Sequence, residues 1–108
     1  MKQLAVQDLQ AHCAAQSTLL LDVREPWEVA LAAIKLEGTA SLDIPMNQLP
    51  ARLHALNPQQ SIVCICHHGI RSAQVVAFLA QHGFDAVYNL NGGIAAWSQH
   101  VDADVPTY

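Results

Sequence analysis

Two patterns of apolar residues alternate along this chain: short continuous runs, and stretches in which apolar residues recur every three or four positions. The continuous runs predict buried strands, and the spaced stretches predict helices. The predicted strands lie at 18–23, 40–44, 62–66 and 86–90, with a short one before the first helix, and the predicted helices lie at 4–14, 26–31, 49–56, 72–82 and around 94–97.

This alternation defines a fold class. Strands that alternate with helical segments form parallel sheets, because a parallel connection needs a crossover element on one face. We therefore expect an α/β protein with a mainly parallel sheet of roughly five strands, covered by helices on both faces. A chain of 108 residues suits one domain with one sheet, so we expect a single domain over residues 1–108.

Charge and hydropathy exclude several functions. Only 13% of residues are charged and the formal net charge is −4, with no cluster of Lys or Arg, so we expect no nucleic-acid partner. No apolar run reaches the roughly 18 residues that cross a membrane, so we expect no membrane partner. The first residues lack the long apolar segment of a secretory signal, which predicts a cytoplasmic protein.

The cysteine pattern argues against a metal or a disulfide framework. There are three cysteines, Cys13, Cys64 and Cys66, and none forms a C-x-x-C pair. Cys66, His67 and His68 are too close in sequence to close around one ion. We therefore expect no metal and no cofactor.

Cys66 is the strongest candidate for chemistry. It ends a predicted buried strand, and a turn containing Gly69 leads from it into the helix at 72–82. In open α/β sheets ligands bind at the carboxyl ends of strands. A turn and a helix N-terminus there aim backbone amides at one point, which favours a reactive thiolate. This interpretation requires a sulfur that solvent can reach, with the neighbouring amides turned toward it.

Three segments together resemble the rhodanese-like family, in particular its small single-domain sulfurtransferases of the thiosulfate sulfurtransferase type. The first is Leu-Asp-Val-Arg-Glu-Pro-Trp-Glu at 21–28, the second is Cys-His-His-Gly-Ile-Arg-Ser at 66–72, and the third is Asn-Leu-Asn-Gly-Gly-Ile-Ala-Ala-Trp at 89–97. They follow the family's order and span most of the chain. The family commonly has His-Ile-Pro-Gly-Ala before its third strand. This chain departs from that pattern at 35–40, where we expect a different loop path and an altered wall of the substrate mouth.

The resemblance implies ping-pong sulfur transfer through a persulfide on Cys66. The donor would be thiosulfate or a persulfide, and the acceptor would be cyanide, a small thiol or a protein such as a thioredoxin-like one. Asp22 and Arg24 would brace the site, with Arg24 at the mouth as the alternative. The loop after the cysteine would bind the substrate through His67, His68, Gly69, Ile70, Arg71 and Ser72.

Loop length separates this activity from that of related phosphatases. The loop from Cys66 to Arg71 reads C-x4-R, whereas the phosphatase relatives use a longer C-x5-R loop that holds a tetrahedral phosphate. The tighter loop suits a single sulfur atom, so a phosphatase is the weaker alternative. A module that relays a persulfide to a partner protein is the other alternative.

Two further roles stay open at this stage. Arg71 either steers anionic donors or pairs with an acidic residue such as Glu25 and braces the loop. Family members selective for thiosulfate often carry fixed positive charge where His67 and His68 stand. Histidines are mostly neutral at pH 7, so we expect weak attraction for thiosulfate that improves toward pH 6. Trp27 and Trp97 are expected in the core or at its rim.

Overall fold

Five parallel strands form one sheet in the computed structural model, which describes all residues from 1 to 108. The strand order across the sheet is β1-β5-β4-β2-β3. The predicted α/β class is confirmed, and the sheet is parallel throughout. The strands are β1 (Gln3–Leu4), β2 (Thr18–Asp22), β3 (Ala40–Asp43), β4 (Ser61–Ile65) and β5 (Val87–Leu90).

Three α-helices connect strands, a fourth follows β5, and together they cover the sheet. The predicted helix at 49–56 is instead a 3-10 helix, at Pro50–Ala55, and two further short 3-10 helices occupy Val6–Asp8 and Met46–Gln48. The helix after Cys66 begins two residues earlier than predicted, because Gly69 (φ 95°) makes the turn itself. The helices are α1 (Leu9–Ala15), α2 (Pro26–Leu31), α3 (Ile70–Gln81) and α4 (Gly93–His100).

The central strand β4 is buried on both faces, as its unbroken apolar sequence predicts. Its alternating side chains enter two separate core clusters. Ile62 and Cys64 pack against α3, whereas Val63 and Ile65 pack against α4 and the segment of Val6 and Leu9. The sheet therefore holds β4 rigidly from both sides, and Cys66 follows directly at its carboxyl end.

The departure at 35–40 lies away from this carboxyl edge. It leads into the amino end of β3, turns at Gly38 (φ 78°) and lines a surface hollow with Cys13 of α1. The expectation that it forms a wall of the substrate mouth is wrong. A loop that enters a parallel strand must meet the opposite edge of the sheet from one that leaves it.

No helix of the structure is both long and apolar enough to cross a membrane.

Candidate active site

The loop after β4 turns its carbonyl groups outward. The carbonyl oxygens of Cys66 and His67 accept hydrogen bonds from the amides of Ile94 (2.9 Å) and Ala95 (3.1 Å) in the first turn of α4. The carbonyl of Gly69 accepts one from Asn89 Nδ2 at 3.1 Å. In a trans peptide the next N–H points opposite to the carbonyl. The amides that follow these three carbonyls therefore point toward the inside of the loop.

The Cys66 sulfur lies against one amide of this loop. The Gly69 amide donates to Sγ at 3.0 Å, and the Ser72 hydroxyl lies 3.2 Å from Sγ. The amides of Ile70 and Arg71, in the first turn of α3, donate to no backbone carbonyl. The site is therefore built to surround an anionic sulfur with N–H groups and the positive end of a helix dipole.

Asn89 on β5 fixes this arrangement, and sequence reasoning gave it no separate role. Its Oδ1 accepts the Ser72 hydroxyl hydrogen bond, and its Nδ2 donates to Gly69 and to Gln3 Oε1. A hydroxyl has one proton, so Ser72 accepts from the Cys66 thiol while it donates to Asn89.

The reduced thiol is closed off in this structure. Cys66 exposes only 1% of its surface, so the expectation of a sulfur that solvent can reach, which the interpretation required, is wrong for this arrangement. The second requirement, a neighbouring amide turned toward the sulfur, is met by Gly69. The cause is local, because the side chain points into the core cluster that also holds Cys64 and Val75. A donor can meet the sulfur only after the thiol or the loop shifts from this arrangement.

Helix α4 approaches the loop so closely that only glycine fits at the contact. A Cβ on Gly93 (φ 62°) would come within 2.5 Å of the carbonyl oxygens of both Cys66 and His67. The sequence indicated Gly92 and Gly93 only as a turn. Because they lack side chains, the N-terminus of α4 can approach the loop and donate hydrogen bonds to its carbonyl groups.

Arg71 is held by a carboxylate rather than aimed into the cup. Its Nη1 and Nη2 donate to Glu28 Oε1 and Oε2 at 2.6 and 2.8 Å, in bidentate geometry. This pair lowers the pKa of Glu28 to about 2. Of the two roles left open, the structure has Arg71 bracing the loop, and Glu25, named as an example partner, is the wrong residue.

Asp22 and Arg24 form a second, fully enclosed pair. Arg24 Nε and Nη2 donate to the two carboxylate oxygens of Asp22 at 2.9 and 2.7 Å, and Nη2 also donates to the Ala32 carbonyl. Arg24 is 1% exposed. It therefore lies in the interior rather than at the mouth.

Tyr108 connects the two pairs, although the tail at 101–108 was predicted only to be irregular. Its hydroxyl accepts from Arg24 Nη1 and donates to Glu28 Oε2, both at 2.8 Å. Its ring stacks on His67 with centroids 3.9 Å apart and planes 9° apart. A tail with one aromatic residue carries no local signal of such contacts, because its partners are more than 40 positions away.

The rim of the loop contains His67, His68 and Ile70. His67 is half-buried between His68 and Tyr108, and burial, reinforced by His68, lowers its pKa. Ile70 is 72% exposed. Trp97 lies in the core as expected, whereas Trp27 is 63% exposed and touches Tyr108 only edge-on.

Other titratable groups do not form a second centre of this kind. No group of three or more His, Cys, Asp or Glu side chains is arranged to hold a metal ion. Burial raises the pKa of the Cys64 thiol to about 12, so it stays protonated at neutral pH.

Fold and site together define a class, namely a parallel α/β domain with one amide-ringed cysteine at the carboxyl edge of its sheet. The profile of the rhodanese-like domain matches residues 5–100. A sulfurtransferase from Allochromatium vinosum is 38% identical over 85 residues, which are 79% of this chain and 76% of that protein. This chain therefore belongs to the rhodanese-like family.

Two further similarities agree with this assignment. A rhodanese-like/PpiC domain-containing protein from the chloroplast of Arabidopsis thaliana is 39% identical over 82% of this chain, which spans only 30% of that protein. The crystal structure of a rhodanese-related protein from Thermoplasma volcanium matches with a TM-score of 0.84 at 30% identity, covering 100% of both chains.

Proposed function

We propose that this protein is a sulfurtransferase that moves a sulfane sulfur from thiosulfate or a persulfide donor to a thiophilic acceptor through a persulfide on Cys66. One observation carries the proposal: the Gly69 amide lies 3.0 Å from Sγ, in a loop whose carbonyls are turned outward. Such a ring stabilises a thiolate at Sγ and then the anion on the outer sulfur of the persulfide, one S–S bond beyond Sγ.

The chemistry divides into two displacements. The Cys66 thiolate attacks the outer sulfur of the donor, and the donor S–S bond breaks, with its electron pair leaving on sulfite when the donor is thiosulfate. The acceptor then attacks the terminal sulfur of Cys66–S–S⁻, and the electron pair of that S–S bond returns to Cys66. Cyanide would leave as thiocyanate. Neither step needs a metal or an external oxidant.

The closed thiol adds a step before the first displacement. Because Cys66 is 1% exposed, the side chain or the loop shifts to admit the donor. A persulfide is longer than a thiol by one S–S bond, so its outer sulfur extends beyond the core position of Sγ. We therefore expect the persulfide to be more accessible to acceptors than the thiol is to donors.

The phosphatase alternative is disfavoured by Arg71. A phosphate clamp needs a guanidinium free to bind two phosphate oxygens, and both Nη atoms of Arg71 are bonded to Glu28. The cup is also one residue shorter than the phosphatase loop. We expect no hydrolysis of p-nitrophenyl phosphate.

Mass spectrometry tests the residue and the reaction together. Mixing with thiosulfate or with glutathione persulfide should add one sulfur, about 32 Da, and cyanide should remove it by the displacement chemistry above. Cys66→Ser should gain nothing, while Cys13→Ser, which changes a half-buried cysteine on α1, should behave as the wild type. A gain that persists in Cys66→Ser would contradict the proposal.

A relay to a protein acceptor, such as a thioredoxin-like protein, is the second candidate. It is favoured by Ile70 and Trp27, large exposed apolar side chains that neighbour Arg71 and Glu28 in sequence. Ile70→Ser should slow sulfur transfer to a thioredoxin-like protein several-fold and leave transfer to cyanide unchanged. Equal rates with the protein acceptor would remove this candidate. A cytoplasmic location stays a prediction.

A further inference from the structure

The cup around Cys66 has an unusual rim for an enzyme of anionic substrates, since no Lys or Arg side chain stands unpaired beside it. Arg71 is bonded to Glu28 through both Nη atoms, and Arg24 is bonded to Asp22. The formal net charge of the chain is −4. The attraction for a donor therefore comes from backbone amides and a helix dipole, which together act as a fraction of one charge.

Tyr108 holds the Glu28 side of this arrangement in place. Glu28 Oε2 accepts from both Arg71 Nη2 and the Tyr108 hydroxyl, each at 2.8 Å. The same hydroxyl accepts from Arg24 Nη1, also at 2.8 Å. Glu28 thus has a fixed position between a tail residue and Arg71, and the Arg71 charge stays neutralised.

Tyr108 also covers the residue next to the cysteine. Its ring lies flat on His67, which has His68 on its other side. The permanently charged groups around His67 are Arg24 and Arg71, whose positive charge disfavours the imidazolium, and Glu28, which favours it. The neighbouring His68 also disfavours the imidazolium. The pKa of His67 is lowered, with burial as the largest cause, so this ring is neutral at pH 7.

We infer that Tyr108 is a positioning residue that keeps the rim of the Cys66 loop free of unpaired positive charge, so that the site favours singly charged sulfur donors over the thiosulfate dianion. This inference rests on the proposed function. Donor kinetics distinguish this role of Tyr108 from a merely structural one. Loosening the loop would lower kcat/KM for all donors by the same factor. Freeing a positive charge would instead raise kcat/KM for thiosulfate relative to kcat/KM for a singly charged donor.

Two donors that differ by one charge provide the test. Thiosulfate carries two negative charges, and methanethiosulfonate carries one. In both reactions the Cys66 thiolate attacks the terminal sulfur, the S–S bond breaks and the electron pair leaves, on sulfite or on methanesulfinate. With cyanide as acceptor, kcat/KM for the donor reports this first displacement alone. Low ionic strength keeps the charge effect visible.

The expected result is a change in the ratio of the two kcat/KM values. Glu28→Gln leaves the Arg71 charge unpaired and should raise the ratio of kcat/KM for thiosulfate to kcat/KM for methanethiosulfonate by about fivefold. Tyr108→Leu, which removes hydroxyl and ring, should raise the ratio by about threefold, and Tyr108→Phe, which keeps the ring, by about twofold. Tyr88→Phe removes a tyrosine hydroxyl on β5 that contacts neither Glu28 nor Arg71, and its ring packs against His12 of α1, so it should leave the ratio unchanged.

Several outcomes separate the possibilities. If thermal unfolding shows all variants folded and both donors slow equally in Glu28→Gln and in both Tyr108 variants, Tyr108 is only structural and the inference is overturned. If the wild type gains sulfur from neither donor, the proposed function fails and the donor preference fails with it. NMR titration adds a readout that needs no turnover: the pKa of His67 should rise toward its ordinary range in Tyr108→Leu, and an unchanged value would also overturn the inference.

Discussion

Two bidentate arginine–carboxylate pairs differ in exposure. Arg24 binds Asp22 through Nε and Nη2, and Arg71 binds Glu28 through Nη1 and Nη2. The Asp22–Arg24 pair is enclosed, with side chains 8% and 0% exposed. In the Glu28–Arg71 pair the carboxylate is 5% exposed, but the Arg71 side chain is 34% exposed. The Tyr108 hydroxyl bonds to one member of each pair.

The difference in exposure shows that an arginine–carboxylate pair can stabilise the fold at one position and set the charge of the active site at another. A buried charge without its partner is costly, so Arg24 and Asp22 must come together for the chain to fold. Arg71 can be solvated by water if its partner leaves, so its pair can adjust without unfolding the protein. The enclosed pair therefore fixes the end of β2, and the exposed pair sets the charge near Cys66.

Breaking the enclosed pair should have the largest effect on stability. Arg24→Leu leaves the buried Asp22 carboxylate without its ionic partner, with only the backbone amide of residue 24 donating to Oδ1. It also removes a donor to the Ala32 carbonyl. We expect a loss of about 3–5 kcal/mol in the free energy of unfolding, measured by urea titration. Arg52→Leu changes an arginine that forms no ion pair and should cost about 0.5 kcal/mol or less. Equal costs for the two variants would mean that the enclosed pair contributes no more to stability than an arginine without an ionic partner.

The fold could be predicted because its signals are local. The buried runs of β2 and β4 and the helical spacing of α3 are each visible within a dozen residues, and alternation of strand and helix restricts the topology. Even the position of Cys66 at a strand end follows from the point where the apolar run stops. These predictions needed only the period of the side chains and the reach of the backbone.

The parts of the site that could not be predicted depend on contacts between distant positions. Tyr108 meets Glu28 across 80 positions, and Asn89 meets Ser72 across 17. Nothing near Glu28 distinguishes it from Glu25, since both carboxylates follow β2 within a few residues. Only the start of α2 at Pro26 turns Glu28 inward, where it reaches Arg71. Burial of the Cys66 thiol likewise depends on packing and not on sequence spacing.

Breaking the exposed pair at its arginine should cost less stability and more activity. Arg71→Leu leaves Glu28 with the Tyr108 hydroxyl and the Glu25 amide as donors, and we expect a loss of roughly 1–2 kcal/mol in the free energy of unfolding. The loop loses its brace, so kcat/KM should fall about tenfold with methanethiosulfonate. It should fall further with thiosulfate, because the negative charge of Glu28 is then unpaired. Arg71→Lys is the matched control, because it keeps the charge but loses the bidentate geometry. Its kcat/KM should lie between the values for wild type and Arg71→Leu. If Arg71→Leu lowered the free energy of unfolding as much as Arg24→Leu, the Glu28–Arg71 pair would stabilise the fold as strongly as the enclosed pair does.

The smallest effect should appear only in acid, where Glu28 takes up its proton. Its pKa in the folded protein is about 2, against an ordinary value of 4.5, and the largest cause is the bond to Arg71. A lowered folded-state pKa gives stability that is complete above about pH 4.5 and is lost as pH falls toward 2. We therefore compare the free energies of unfolding of wild type and Glu28→Gln, measured in urea. Their difference should be constant from pH 7 to 5 and should become smaller below pH 5. Glu37→Gln, at an exposed glutamate without an ion pair, should show no such narrowing. A difference that stays constant down to pH 3 would mean that water, rather than Arg71, already satisfies the Glu28 carboxylate, and the two pairs would differ more than their geometry indicates.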